Sequence, residues 1–141
     1  MDEIENMQPG SPVSARLRRW LSLAALGYFV AMFWGTHTPK PPPSLTEGFS
    51  DKHLHFVAYG GLAFLVAARL GCSRALTRRH YVRLWLAVAT YGALDELLQI
   101  PVGRDADVVD WLMDVTGAAM GLAAVALVGR WLRSRVTPTR P

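Results

Sequence analysis

A chain of 141 residues, 51% of them hydrophobic and with a formal net charge of +4, has room for one domain. The basic excess comes without a nucleic-acid recognition motif, so we predict no nucleic-acid partner. The single cysteine, Cys72, excludes a disulfide framework within the chain and a cysteine-based metal site. The informative property is the charge pattern, because charged segments separate four apolar runs.

The first apolar run extends from about Trp20 to Gly35 and follows three arginines between positions 16 and 19. Basic residues before a short apolar run are typical of a signal peptide, but no small-residue cleavage site follows this one. A proline-rich segment at 39–43 follows instead, and prolines cannot continue a helix. We therefore predict a cytoplasmic tail over residues 1–18 and a retained helix over about 19–36.

Three further apolar runs predict three more helices, at about residues 52–70, 82–100 and 107–130. Each run approaches the roughly 20 residues that a membrane span needs. The four predicted helices make up one membrane domain, residues 19–132. Residues 133–141 then form a basic C-terminal tail.

The segments between the runs alternate in charge. Twelve arginines lie before the first run, between the second and third, and after the fourth, whereas the other connections contain three cations and eight acidic residues. The positive-inside rule predicts this asymmetry for a protein with an even number of spans. We therefore predict an all-α, polytopic membrane protein, a bundle of four transmembrane helices with both termini in the cytoplasm.

Polar residues in the last three runs are spaced three and four apart, which places each set on one helix face. The sets are Lys52, His55 and Tyr59 on the second helix, Glu96 and Gln99 on the third, and Asp107, Asp110 and Asp114 on the fourth. A charged residue in the membrane costs about 2.5 to 3.5 kcal/mol, so we expect these faces to converge with Arg104 in the outer half of the bundle. Gly117 and Gly121, and also Gly60 and Gly61, predict close helix contact just below.

These residues form three motif blocks that resemble the VanZ-like family of bacterial membrane proteins. The blocks are Asp51-Lys52-x-x-His55-Phe56-x-x-Tyr59, Glu96-x-x-Gln99 and Arg104-x-x-Asp107-x-x-Asp110-x-x-x-Asp114-x-x-Gly117-x-x-x-Gly121. One position departs from the pattern, because the family often has asparagine where this chain has Asp114. The resemblance implies a small multi-pass protein of the bacterial inner membrane. Through the family's named member, it also implies an association with resistance to teicoplanin-type glycopeptides.

The residues leave three functions open. In the first, the outer site binds or helps to modify an anionic lipid or cell-envelope precursor. Arg104 and Lys52 meet the anionic part, and the remaining ligand-binding residues are Asp51, Tyr59, Gln99, Asp107, Asp110 and Asp114. In the second, the protein is an enzyme with His55 and Glu96 as acid and base, with or without a divalent cation held by the three aspartates of the fourth helix. In the third, the polar residues form a structural salt-bridge network.

The sequence contains no nucleophile motif, so whether the protein is an enzyme stays open. We predict no cofactor and assign no metal ligands. The expected partners are membrane lipids or cell-envelope precursors, with a second copy of the chain or another membrane protein as a further partner. Ion pairing within the cluster is the alternative role for its cations, with Lys52 neutralising Glu96 and Arg104 pairing with Asp107 or Asp110.

Overall fold

A computed structural model of the protein describes residues 12–38 and 51–136, which form four α-helices and no strand. The helices are α1 (Pro12–Thr36), α2 (Asp51–Gly71), α3 (Arg78–Gln99) and α4 (Val108–Val136), and a 3-10 turn, Ile100–Val102, follows α3. The predicted all-helical fold is thus confirmed. Helices α1 and α3 begin before their predicted spans, and α4 continues past the end of its own. The predictions for most of the N-terminal tail, the proline-rich loop and the end of the C-terminal tail lie outside the described residues.

The helices alternate in direction, so α1 and α3 end where α2 and α4 begin. At this end, the Thr36 hydroxyl donates to the Asp95 carboxylate (3.4 Å), and at the other end the Arg69 guanidinium donates to the Ser22 hydroxyl (2.7 Å). All seven acidic residues of the described chain lie at the first end, which we name the polar end. Eleven of its thirteen lysines and arginines lie at the opposite, basic end.

Two helices are long and apolar enough to cross a membrane, α2 and the segment Val108–Arg135 of α4. At 1.5 Å per residue the 21 residues of α2 extend about 31 Å, close to the thickness of a bilayer's hydrocarbon core. Together with the exposed apolar side chains of the bundle, these helices indicate a membrane protein.

The connection from α3 to α4 turns the chain back over the polar end. Gly103 has a φ of 80°, a left-handed conformation that a residue without Cβ adopts at little cost. The following amide, that of Arg104, donates to the Gln99 carbonyl (3.2 Å). Asp107 then caps α4, because its carboxylate accepts from the Val109 amide (2.7 Å). These contacts direct the Arg104 side chain toward the start of α2.

Glycines bring the backbones of α2 and α4 into direct contact. A Cβ on Gly117 would overlap the Phe56 carbonyl, and one on Gly121 would overlap the Gly60 carbonyl. A Cβ on Gly60 would lie 3.0 Å from the Gly117 carbonyl oxygen, which is also tighter than ordinary packing. The close contact predicted from these glycines is confirmed. Gly61 instead faces the Tyr28 hydroxyl of α1.

We predict that Gly117→Ala destabilises the protein by about 1 to 3 kcal/mol, since the added methyl group must push α2 and α4 apart. The measurement is thermal unfolding of the detergent-purified protein, followed by circular dichroism. Gly27→Ala is the matched control, because a Cβ there meets nothing within 4 Å and alanine favours the helix. Equal melting temperatures for the two variants would contradict the proposed role of Gly117.

Candidate functional site

The polar end brings together every site residue that the sequence predicted. We define the polar cluster as these residues and one further acid: Asp51, Lys52, His55, Tyr59, Asp95, Glu96, Gln99, Arg104, Asp107, Asp110 and Asp114. Most of its side chains are buried, but those of Lys52 and Asp107 are 40% and 42% exposed. These two residues therefore form the mouth of the cluster, and the rest lies beneath or beside them.

At the mouth, Lys52 pairs with two aspartates at the start of α4, the capping residue Asp107 and Asp110. Its ammonium group donates to Asp107 Oδ2 (2.9 Å) and to Asp110 Oδ1 (3.1 Å). The sequence had suggested Glu96 as its partner. Instead, Glu96 Oε2 accepts a hydrogen bond from the Asp107 backbone amide (2.8 Å). The first turns of α2 and α4 lie side by side, so the aspartates reach Lys52.

Arg104 pairs with Asp51 at the start of α2. Its Nη2 donates to both carboxylate oxygens, at 3.1 and 3.0 Å, and its Nη1 donates to the Thr38 carbonyl (3.4 Å). The sequence had suggested Asp107 or Asp110 as the partner. The turn at Gly103 directs the guanidinium toward α2 instead. Because Arg104 is buried and paired, a ligand that meets it must compete with Asp51.

Beneath the mouth, His55 lies between two acidic side chains. Its Nδ1 is 2.9 Å from Asp114 Oδ1 and 3.7 Å from Glu96 Oε1, and all three residues are buried. Asp114 fits there because α3 has no side chain at Gly92, where a Cβ would lie 3.0 Å from Asp114 Oδ2. Tyr59 stacks below His55, with their ring centroids 6.3 Å apart. These residues form the floor of the cluster.

Asp95 is a member of the cluster whose role the sequence did not predict. It is fully buried and accepts hydrogen bonds from the Tyr91 hydroxyl (3.1 Å), the Gln99 amide (3.3 Å) and the Thr36 hydroxyl (3.4 Å). His37 Nδ1 lies 3.8 Å from the same carboxylate. The spacing contained a signal, since Asp95 is four residues from both Tyr91 and Gln99 and so shares their helix face.

The cluster is acidic overall. It contains six carboxylates against two permanent cations, Lys52 and Arg104, and both cations pair with aspartates at or beside the mouth. Among the described residues, three of the four buried acids, Asp95, Glu96 and Asp114, have no lysine or arginine salt bridge; their nearest basic partners are His37 and His55. These three buried acids can hold a cation or exchange a proton.

The sequence model of a family described as VanZ/LLP1 matches residues 3–129. The matched region contains every residue of the polar cluster and the glycines at which α2 and α4 meet. No curated protein and no solved structure matches the chain.

We predict that the buried Arg104 is energetically coupled to Asp51 more strongly than the exposed Lys52 is to Asp107. In a double-mutant cycle, Arg104→Ala and Asp51→Asn should give a coupling energy of about 1.5 to 3 kcal/mol, the usual value for a hydrogen bond to a charged group. Lys52→Gln and Asp107→Asn should give less than about 1 kcal/mol, since water screens an exposed pair. The free energy of unfolding in mixed micelles gives both coupling energies. Equal coupling energies for the two pairs would show that burial does not determine their strength.

Proposed function

The chain belongs to the VanZ/LLP1 family, and on that premise we propose that it is a multi-pass protein of the bacterial inner membrane. Its polar cluster faces the outside and binds, or helps to modify, a cell-envelope lipid. The headgroup of that lipid combines an anionic phosphate with hydroxyl or amine donors. The link to glycopeptide resistance remains a prediction drawn from the family resemblance.

The distribution of side chains supports insertion of all four helices. Large apolar residues are exposed on every helix, including Trp20 and Trp34 on α1 and Leu94 and Leu97 on α3, while the buried set contains seven charged or amide side chains of the polar cluster. A water-soluble protein has the opposite arrangement. Helices α1 and α3, with 25 and 22 residues, are also long enough to span a hydrocarbon core of about 30 Å.

The orientation follows from the two ends of the bundle. Arginines dominate the basic end, and arginine-rich connections stay in the cytoplasm. The polar end is then at the outer leaflet, where headgroups of envelope lipids are accessible. Both termini lie on the cytoplasmic side in this arrangement.

The observation that carries the lipid proposal is the exposed ion pair at the mouth. Lys52 is the accessible cation of the cluster, and a phosphate approaching from the outer leaflet meets it first. Asp107 and Asp110 take two of the three N–H donors of Lys52, so a phosphate can bind the third; it then lies beside two carboxylates, and a hydrogen-bond donor on the ligand must offset their repulsion. Hydroxyl or amine groups on the same headgroup supply it, so the paired charges favour a headgroup of mixed character over a simple anion.

A catalytic role for His55 and Glu96 is a second candidate, favoured by the position of the imidazole between Asp114 and Glu96. An imidazole held by one carboxylate and facing another group is suited to accept and return a proton. In this role Asp114 orients the ring and Glu96 exchanges the proton with a bound headgroup. The two candidates share one binding site and differ in whether the lipid is changed.

We predict that the basic end is cytoplasmic and the polar end external. In intact spheroplasts, a membrane-impermeant maleimide should fail to label the native Cys72 and should label Asp105→Cys in a Cys72→Ser background, since Asp105 is exposed at the polar end. Permeabilised membranes are the control, in which both cysteines should react. Labelling of Cys72 from outside would overturn the orientation.

We predict that the purified protein retains a discrete envelope lipid, detected by native mass spectrometry, and that Lys52→Gln lowers the retained fraction about tenfold. Such a loss corresponds to removal of one charged hydrogen bond. Arg130→Gln, an exposed arginine at the basic end, is the matched control and should retain the lipid. No retained lipid in the wild type, or equal loss in both variants, would reject the outer site.

The same spectra distinguish binding from chemistry. Glu96→Gln keeps the shape of the side chain but removes its ability to accept a proton. If the protein only binds, this variant retains a lipid of the same mass as the wild type. A retained lipid of different mass would identify the unprocessed substrate and support the catalytic candidate.

A further inference from the structure

Three donor atoms from three helices converge at the floor of the cluster. They belong to His55, Glu96 and Asp114, and one ligand atom from each of the three residues lies within 4.8 Å of the other two. The histidine nitrogen is 2.9 Å from Asp114 and 3.7 Å from Glu96. Zinc binds nitrogen and oxygen at about 2.0 to 2.2 Å, which puts neighbouring ligands about 3.3 to 3.6 Å apart. The observed separations lie on either side of this range.

From this geometry we infer that His55, Glu96 and Asp114 bind a divalent transition-metal ion, Zn²⁺ being the best match. One imidazole and two carboxylates form a mixed donor set suited to zinc, whereas Mg²⁺ and Ca²⁺ prefer oxygen ligands. For the ion to bind, His55 Nδ1 must carry no proton, so the proton of the hydrogen bond with Asp114 leaves to solvent or the imidazole takes the tautomer protonated at Nε2. Three protein ligands leave a coordination position for water or a headgroup oxygen.

The buried charge of the floor gives independent support. Asp114 is fully buried, and its Oδ2 accepts no hydrogen bond in the described part of the chain. Burying a carboxylate without a compensating cation is costly, and both permanent cations of the cluster are paired with other aspartates. A divalent ion would compensate Glu96 and Asp114 together.

The surroundings also hold the ligands in position. The Asp107 amide donates to Glu96 Oε2 (2.8 Å) and leaves Oε1 directed at His55, and the Gln99 amide approaches the same Oε1 at 3.5 Å. Such outer hydrogen bonds orient metal ligands in proteins. The sequence had suggested a cation held by Asp107, Asp110 and Asp114. Because Lys52 pairs with the first two, the structure favours a site one turn deeper.

The ion deepens the proposed function, since it would add a positive charge beneath the mouth where a lipid phosphate arrives. An effect of the ion on lipid binding rests on that proposed function. Binding of the ion itself is independent of it, because the three ligands are side chains of this protein alone.

The test is titration of chelator-treated, detergent-purified protein with Zn²⁺ by isothermal calorimetry. We expect one ion per chain and an affinity at least about 100-fold lower in His55→Ala, a larger loss than changes outside the ligand shell usually cause. Asp114→Asn, which keeps the side-chain shape, should show the same loss. Visible absorption of Co²⁺ added in place of zinc should show coordination in the wild type and not in these variants.

Two controls separate specific binding from adventitious binding. His53→Ala removes an exposed histidine of the same helix, and Asp105→Asn removes an exposed carboxylate of the polar end that lies outside the cluster. Both should bind Zn²⁺ like the wild type. No stoichiometric ion in the wild type, or unchanged affinity in His55→Ala and Asp114→Asn, would overturn the inference.

Lipid retention measured on the same metal-free and metal-loaded samples separates this inference from the proposed function. Zinc binding without a retained lipid would support the metal site and reject the lipid function. A retained lipid without zinc binding would do the reverse.

Discussion

The rest of the polar end depends on the direct backbone contact between α2 and α4. With Gly117 and Gly121 against Phe56 and Gly60, the two helices approach more closely than any side chain would allow. One turn toward the polar end, this spacing places His55 against Asp114, and a further turn places Lys52 against Asp107 and Asp110. Small residues are used in this way where helices pack in membranes. A larger distance between α2 and α4 would separate each of these pairs and leave their charges facing an apolar medium.

The contact also divides the charges into two layers. At the mouth, cations and carboxylates pair in positions that water reaches. At the floor, acids meet histidines and neutral donors within buried surroundings. The proposed lipid headgroup binds at the mouth, and the proposed metal ion binds at the floor. The two proposals rest on different charges, the lipid proposal on the exposed Lys52 pair at the mouth and the metal proposal on the buried carboxylates near His55.

Helix number and cluster membership could be predicted from the sequence because both depend on local spacing and on the cost of charge in an apolar medium. The ion-pair partners within the cluster could not be predicted from the sequence. Whether Arg104 meets Asp51 or Asp107 depends on the turn at Gly103, and whether Lys52 reaches Glu96 depends on how α2 crosses α4. Asp95 was missed although it shares a face with Gln99, since its partners Thr36 and His37, at the end of α1 and directly after it, are far away in the chain.

The cross-helix pairs join residues that are far apart in sequence. Asp51 and Arg104 are separated by 53 positions, Lys52 and Asp107 by 55, and His55 and Asp114 by 59. During biosynthesis at about 5 to 20 residues per second, these three residues of α2 are therefore made roughly 3 to 12 s before their partners. The aspartate, lysine and histidine of α2 must be shielded by water or by the insertion machinery until α4 inserts. A chain truncated before α4 would thus be a substrate for membrane quality control rather than a smaller working protein.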